Sequence, residues 1–159
     1  NIRICDYRDL DKTYDKIIDV NLKSPMLISK YLSSSKIFNR PSSVIFVSSI
    51  MGVIGAPGQS IYSASKGGLV SLSKSLALEL SRYKIRVNCI SPGVIAGKLF
   101  NDYLKNISSE KKREVLNSHP LKIGNYKDVV EATFFLLDEE KSSWITGHNL
   151  ILDGGYTSK

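Results

Sequence analysis

Apolar residues recur at helical spacing from Asp9 to about Leu32, which predicts one helix with Leu10, Ile17, Ile18, Leu22, Leu27 and Ile28 buried. After Pro41, the β-branched and aromatic run Ser43 to Val47 predicts a short buried strand. The longest helical pattern runs from Ser60 to about Arg82. Ile85 to Ile90 then predicts a second strand, stopped by Ser91-Pro92-Gly93. Lys98 to Leu116 is polar and predicts one or two short helices on a mobile arm. Asp128 to Asp138 predicts another helix, and Asn149 to Leu152 a third strand ended by Asp153-Gly154-Gly155. Helices alternating with short strands argue for an α/β fold around a parallel sheet.

This set of elements is incomplete for such a fold. A nucleotide-binding α/β domain opens with a strand, a Gly-rich turn and a helix that holds the pyrophosphate. Gly52, Gly55 and Gly58 are spaced differently from that fingerprint, and they follow a strand by way of Ser48-Ser49 rather than opening a helix. There is no internal repeat or linker. We therefore expect residues 1–159 to be the C-terminal part of one doubly wound, parallel-sheet domain. Its first strands and Gly-rich loop would lie before Asn1.

Composition changes this picture little. The chain is 42% hydrophobic and 23% charged, as in an ordinary globular protein. Its formal net charge of +7 is scattered, and the densest cluster, Lys111-Lys112-Arg113, is flanked by Glu110 and Glu114. That pattern describes a solvated helix face, not a nucleic-acid stripe. An anionic substrate or cofactor could use the same positive field. The longest apolar stretch, Ala132 to Leu137 with Thr133 inside it, is too short to span a bilayer. Cys5 and Cys89 lie far apart with no ligand-like spacing, so neither a disulfide framework nor a metal site is expected, and a reducing cytoplasm is.

The candidate chemistry lies on the Ser60 helix. At 100° per residue Tyr62, Lys66, Leu69, Ser73, Leu76 and Leu80 share one narrow face. The apolar half of that face must point inward, which sets Lys66 on the buried side one turn from Tyr62. A free tyrosine, with a pKa of about 10, is a poor proton donor or acceptor at neutral pH. A neighbouring ammonium favours its phenolate and suits it to acid/base work on an alcohol or carbonyl oxygen. A Tyr-x-x-x-Lys pair arises about once by chance in a chain of this composition, so the context carries the weight. Ser48-Ser49 and Ser91-Pro92-Gly93 stand at the C-terminal ends of two predicted strands, where open α/β sheets bind ligands.

The order Asn21, Ser49, Tyr62, Lys66 resembles the catalytic tetrad of the short-chain dehydrogenase/reductase family, with Ser49 thirteen residues before Tyr62 as in that family. Gly58-Gln59-Ser60-Ile61-Tyr62-Ser63-Ala64-Ser65-Lys66 is similar to its active-site signature. Arg86-Val87-Asn88 before Ser91-Pro92-Gly93, and Ile145-Thr146-Gly147 before Asp153-Gly154-Gly155, resemble two later landmarks. Among its members the chain looks most similar to 3-oxoacyl-carrier-protein reductases and related sugar or polyol dehydrogenases. The resemblance implies a Rossmann-like fold and hydride transfer between NAD or NADP and a small carbonyl or alcohol substrate. The residues that choose between the two cofactors would precede Asn1.

By the same resemblance Tyr62 is the general acid/base, Ser49 holds the substrate oxygen, and Lys66 also binds the nicotinamide ribose. Pro92, Gly93 and the backbone of Ile95 contact the nicotinamide end. Pro25 has no N–H to offer the Asn21 carbonyl, which predicts a helix kink able to hold a water near Lys66. The family is described as using its asparagine in this way. Gly97 replaces the family's usual threonine, so a cofactor contact would be lost and the loop freed. The whole protein would be a homotetramer or homodimer, pairing through the Asp9 and Ser60 helices with Val70, Leu72 and Leu78 facing the partner. Residues 97–121 would cover the substrate, with Leu99, Phe100, Tyr103 and Leu104 either lining it or packing the helix. A different class of function, a non-catalytic remnant of the fold used only for binding, is the competing expectation.

Overall fold

The structure, a computed structural model, describes residues 13–32, 34 and 41–158. Three parallel strands form its sheet in the order β1 (Ser42–Val47), β2 (Ile85–Pro92), β3 (Asn149–Leu152). Ser42 pairs with Ile85 and Val47 with Ile90, while Cys89 pairs with Asn149 and Pro92 with Leu152. The crossover from β1 to β2 carries the long helix α3 (Ser60–Ser81). The return from β2 to β3 carries α4 (Lys98–Lys105), α5 (Ser109–Asn117), α6 (Tyr126–Leu137) and the short α7 (Glu139–Ser142). The predicted α/β class, the three strands and the main helices are all present.

β2 is the central strand, buried from Ile85 through Ser91. Val87 and Ile90 are fully buried, and each such side chain is worth about 1.5–3 kcal/mol relative to exposure. Ile85 and Val87 join Leu76, Ala77 and Leu80 of α3 in one core cluster. Arg86, between them, donates instead to the Leu136 carbonyl of α6 at 2.9 Å. Successive strand residues point to opposite faces, so α3 and α6 cover the two sides of the sheet.

Polar residues of β2 fix the segment that feeds β3. Asn88 donates to the Ile145 carbonyl at 2.8 Å and accepts the His148 N–H at 3.0 Å. The Val87 N–H bonds Thr146 Oγ1 at 3.0 Å. Arg86 pairs with Glu139 at 3.0 Å and, through Leu136, satisfies a carbonyl left over at the end of α6. Its side chain is 8% exposed, so truncation removes a buried cation and its bonds, although the Leu136 carbonyl keeps the Ser43 and Ser142 hydroxyls as donors. Arg86→Ala is expected to cost about 2 kcal/mol of unfolding free energy in a urea titration of the whole protein.

Four details depart from the sequence reading. The first helix is not one regular helix: α1 (Thr13–Ile18) passes through a π turn (Asp19–Lys23) into α2 (Ser24–Ser29). The π turn carries wider hydrogen-bonded rings than an α-helix, as in the bond from the Ser24 N–H to the Asp19 carbonyl. It shifts the helical phase, so Leu27 and Ile28 face outward at 56% and 64% exposure while Ser29 and Leu32 turn inward. Asp9 and Leu10 lie outside the described residues. Second, β1 is half-buried and its last residue, Val47, is exposed, because β2 takes the centre of the sheet. Third, Val70 is buried and Leu72 packs on the core, leaving Leu78 as the exposed member of the expected partner face. Finally, the space beside Gly97 is occupied: a Cβ there would meet the Tyr126 hydroxyl, the end of an exposed side chain.

Candidate active site

Capping and close packing, rather than charge pairs, place the candidate residues. β1 ends at Val47, and Ser48 follows it with its N–H on the Ile90 carbonyl at 2.8 Å. The Ser48 hydroxyl donates to the Lys66 carbonyl at 2.8 Å, which pins the end of β1 to the second turn of α3. Ser49 then caps a single 3-10 turn, Ile50–Gly52, accepting the Met51 N–H at 3.2 Å. Only glycine fits where that turn meets α3. A Cβ on Gly52 would lie 2.8 Å from Ser48 Oγ and 2.9 Å from the Lys66 carbonyl carbon. The absent side chain lets the Ser49 turn rest directly on the helix that carries Tyr62 and Lys66.

On that helix the Lys66 ammonium stands 5.7 Å from the centre of the Tyr62 ring, within reach of a cation–π interaction. It donates to the Val47 carbonyl at 2.9 Å, which fixes the ammonium at the carboxyl end of β1. One of its three N–H groups is used there. Burial lowers the Lys66 pKa from its ordinary value. Cys89, whose own thiol burial raises to about 11, is uncharged at neutral pH and leaves that effect unopposed.

Asn21 reaches the same helix from the π turn. Its side-chain N–H donates to Ser65 Oγ at 3.1 Å, and Ser65 in turn donates to the Tyr62 carbonyl at 2.7 Å. Pro25, two residues past the turn, has no N–H to offer the Asn21 carbonyl. The irregularity at this point is the π turn, Asp19–Lys23, immediately before Pro25's helix.

Pro92, Gly93 and Ile95 leave the carboxyl end of β2. The Gly93 N–H bonds the Leu152 carbonyl at 2.9 Å, and Ile95 forms a parallel bridge with Gly124. The structure therefore joins Asn21, Lys66 and Tyr62 through side-chain contacts on α3, sets Ser49 on a turn packed against that helix, and sets Pro92–Ile95 at the end of the next strand. Sequence reasoning gave no role to His119, which lies 3% exposed beneath the Gly93 turn. A lone buried histidine before a proline carries no spacing signal.

These residues can hold one end of a nicotinamide cofactor. Lys66 keeps two N–H donors at the carboxyl end of β1, and the turn after β2 leaves the carboxyl end of the neighbouring strand. Among the described residues no group of three His, Cys, Asp or Glu could hold a metal, and no helix is long and apolar enough to cross a membrane. A separate cleft of about 610 Å³, lined by Lys84, Arg86, Glu139 and Trp144 among others, opens at the amino ends of β1 and β2. It holds none of the candidate residues.

Comparison with known proteins agrees with this arrangement. The family described as enoyl-(acyl carrier protein) reductase matches residues 5–157. The human 3-oxoacyl-[acyl-carrier-protein] reductase is 40% identical over 147 residues, covering 91% of this chain and 58% of that protein. A crystal structure of a short chain dehydrogenase family protein from Francisella tularensis superposes with a TM-score of 0.85 at 30% identity, covering 96% of this chain and 66% of the other. This chain belongs to the short-chain dehydrogenase/reductase family. A 4-hydroxyisoleucine dehydrogenase complexed with NADH superposes on this dehydrogenase/reductase chain with a TM-score of 0.84 at 31% identity, over 94% of this chain and 61% of that one. The chain spans 57–58% of the length of the first curated relatives it matches.

Proposed function

We propose that this chain is the catalytic, C-terminal part of an NAD(P)-dependent oxidoreductase that interconverts a small carbonyl compound and its alcohol. The observation that carries the reading is the Lys66 ammonium held by the Val47 carbonyl beside the Tyr62 ring. That ammonium is a fixed positive charge beside the ring whose hydroxyl must exchange a proton. Tyr62 can then give its proton to the substrate oxygen in reduction and take one from the alcohol in oxidation. Bound NAD(P)H supplies the hydride, and the oxidised cofactor accepts it in the reverse direction. Ser49 donates its hydroxyl hydrogen to the same substrate oxygen, where charge develops. Its Oγ already accepts from the Met51 N–H, which aims the hydroxyl hydrogen away from that bond. Asn21 and Pro25 keep the helix kinked behind Tyr62, where the Asn21 carbonyl offers a place for water. Pro92, Gly93 and Ile95 hold the nicotinamide end of the cofactor.

Several supports extend this reading to the whole protein. A relative named as a 3-oxoacyl-carrier-protein reductase and a neighbour complexed with NADH point to NAD or NADP and to a small substrate. Cys89 is a free, buried thiol, in keeping with a cytoplasmic enzyme. Leu78 of α3, with Val20 and Met26 of the first helical segment, exposes apolar surface suited to a second copy, hence a homo-oligomer.

The test is a fluorescence titration of NADH and NADPH against residues 1–159 and against the whole protein, with turnover measured on small ketones. We expect binding and turnover by the whole protein, and none by residues 1–159. Binding by the whole protein without turnover would instead support a non-catalytic binding role. Tight binding by residues 1–159 alone would overturn the division of labour proposed here.

A further inference from the structure

His119 occupies an unusual place for an ionisable group. It is buried, it follows α5, and its ring lies 4.8 Å from that of Tyr156. Its Nε2 atom receives the Val94 N–H at 3.3 Å. Its Nδ1 atom is 2.8 Å from Ser118 Oγ. The Ser118 hydroxyl spends its own hydrogen on the Val115 carbonyl at 2.7 Å. Ser118 must therefore accept, which makes His119 Nδ1 the donor and leaves Nε2 as a lone-pair acceptor for Val94. These contacts describe one neutral tautomer.

The segment that His119 holds is the turn after β2. Its other supports are the Gly93 N–H on the Leu152 carbonyl and the Gly124 N–H on the Val94 carbonyl, at 2.9 and 3.1 Å. The packing is tight: a Cβ on Gly93 would stand 3.0 Å from Asp153 Cα and 3.1 Å from His119 Nε2 and press on both. A protonated Nε2 would point an N–H at the Val94 N–H, replacing a hydrogen bond with two opposed donors.

We infer that His119 is a positioning residue for the Pro92–Ile95 turn, and that protonation of Nε2 releases the turn. The inference rests on the proposal that this turn holds the nicotinamide end of the cofactor. Several groups face His119 from the elements packed around it, Asp153, Val94, Tyr156 and Lys122 among them. Asp153, at the end of β3, is kept ionised: burial opposes its charge, but hydrogen bonds from Thr157 and Gly155 outweigh burial. Its negative charge favours an imidazolium. The Val94 N–H favours neutral imidazole. Tyr156 packs against the ring, and the Lys122 N–H bonds the His119 carbonyl at 2.9 Å. The turn thus sits on a balance that one proton can tip.

The experiment measures cofactor KM and kcat of the whole protein between about pH 6 and about pH 8, a range set by the usual histidine titration. In parallel, NMR on histidine- and valine-labelled protein follows the His119 ring nitrogens and the Val94 amide. The cofactor KM should rise about tenfold toward acid, the scale of one lost hydrogen bond, with kcat changing less. The Val94 amide should move with the His119 ring. His119→Gln keeps an acceptor that cannot titrate, so it should hold a near-normal KM at about pH 8 and lose the acid rise. His119→Leu should show the raised KM throughout the range. If that variant fails to fold, His119→Gln and the amide titration still decide. Retention of the acid rise in His119→Gln, or a Val94 amide indifferent to His119, would overturn the inference. If no hydride transfer were found at all, the proposed function would fail while the amide titration still judged His119.

Discussion

Tyr62→Phe is expected to lower turnover by about a hundred- to ten-thousandfold, the span typical of losing a general acid/base, while cofactor affinity stays within about twofold. Phenylalanine retains the ring that faces the Lys66 ammonium at 5.7 Å, so packing and the cation–π contact survive. Only the hydroxyl is removed, and with it the proton that the reaction moves. Steady-state kinetics in both directions, with a cofactor titration beside them, separate these effects. A variant that kept most of its turnover would end the assignment of Tyr62.

Lys66→Ala is expected to damage turnover and cofactor affinity together, with turnover falling about a hundredfold or more by loss of the ammonium beside Tyr62. The ammonium also bonds the Val47 carbonyl at 2.9 Å, and truncation leaves that carbonyl without this partner. Lys66→Arg separates the two roles. It keeps a positive charge, but a planar guanidinium cannot reproduce the compact geometry of the ammonium. It should therefore recover part of the cofactor affinity and little of the turnover.

The pH dependence of stability from Lys66 has a definite sign. Its folded-state pKa is lowered by burial, so the unfolded chain binds this proton more tightly. Stability from this group rises with pH between the lowered folded value and the ordinary 10.5, and the burial cost is fully present below that window. Lys66→Met should remove that alkaline rise, measured as urea midpoints across the window. An unchanged rise would exclude Lys66 as its source.

How much of this could be read from the chain follows physical lines. The strands and α3 were legible because burial against a sheet imposes strict apolar patterning, as at Ile85, Val87, Leu76 and Leu80. Tyr62 and Lys66 were legible because a helix of that length fixes which residues share a face. The outward turn of Leu27 and Ile28 was not legible, because a π turn changes the phase of a pattern that still looks helical. The packing of Gly52 against Lys66 and Gly67 was equally hidden, since it joins residues from separate elements. His119 escaped for a similar reason: its partners Val94, Ser118 and Tyr156 meet only after β2 and β3 have paired. The polar clamp at Arg86 and Asn88 left a trace, as polar residues inside an apolar strand, but spacing alone could not say what they hold.

The parallel sheet also bears on how the chain folds. None of its strand pairings is local: Ser42 must find Ile85, and Cys89 must find Asn149. Closing such long loops costs entropy before any contact returns it, and topologies of this kind fold slowly. During synthesis the strand that ends at Val47 can dock with α3 and β2 while the ribosome is still reading later codons. The Asn88 clamp, and the Gly93 turn that leans on Asp153, must wait until residues 145–153 have emerged. The chain thus presents everything that places Tyr62 and Lys66 before it presents the residues that hold the turn after β2.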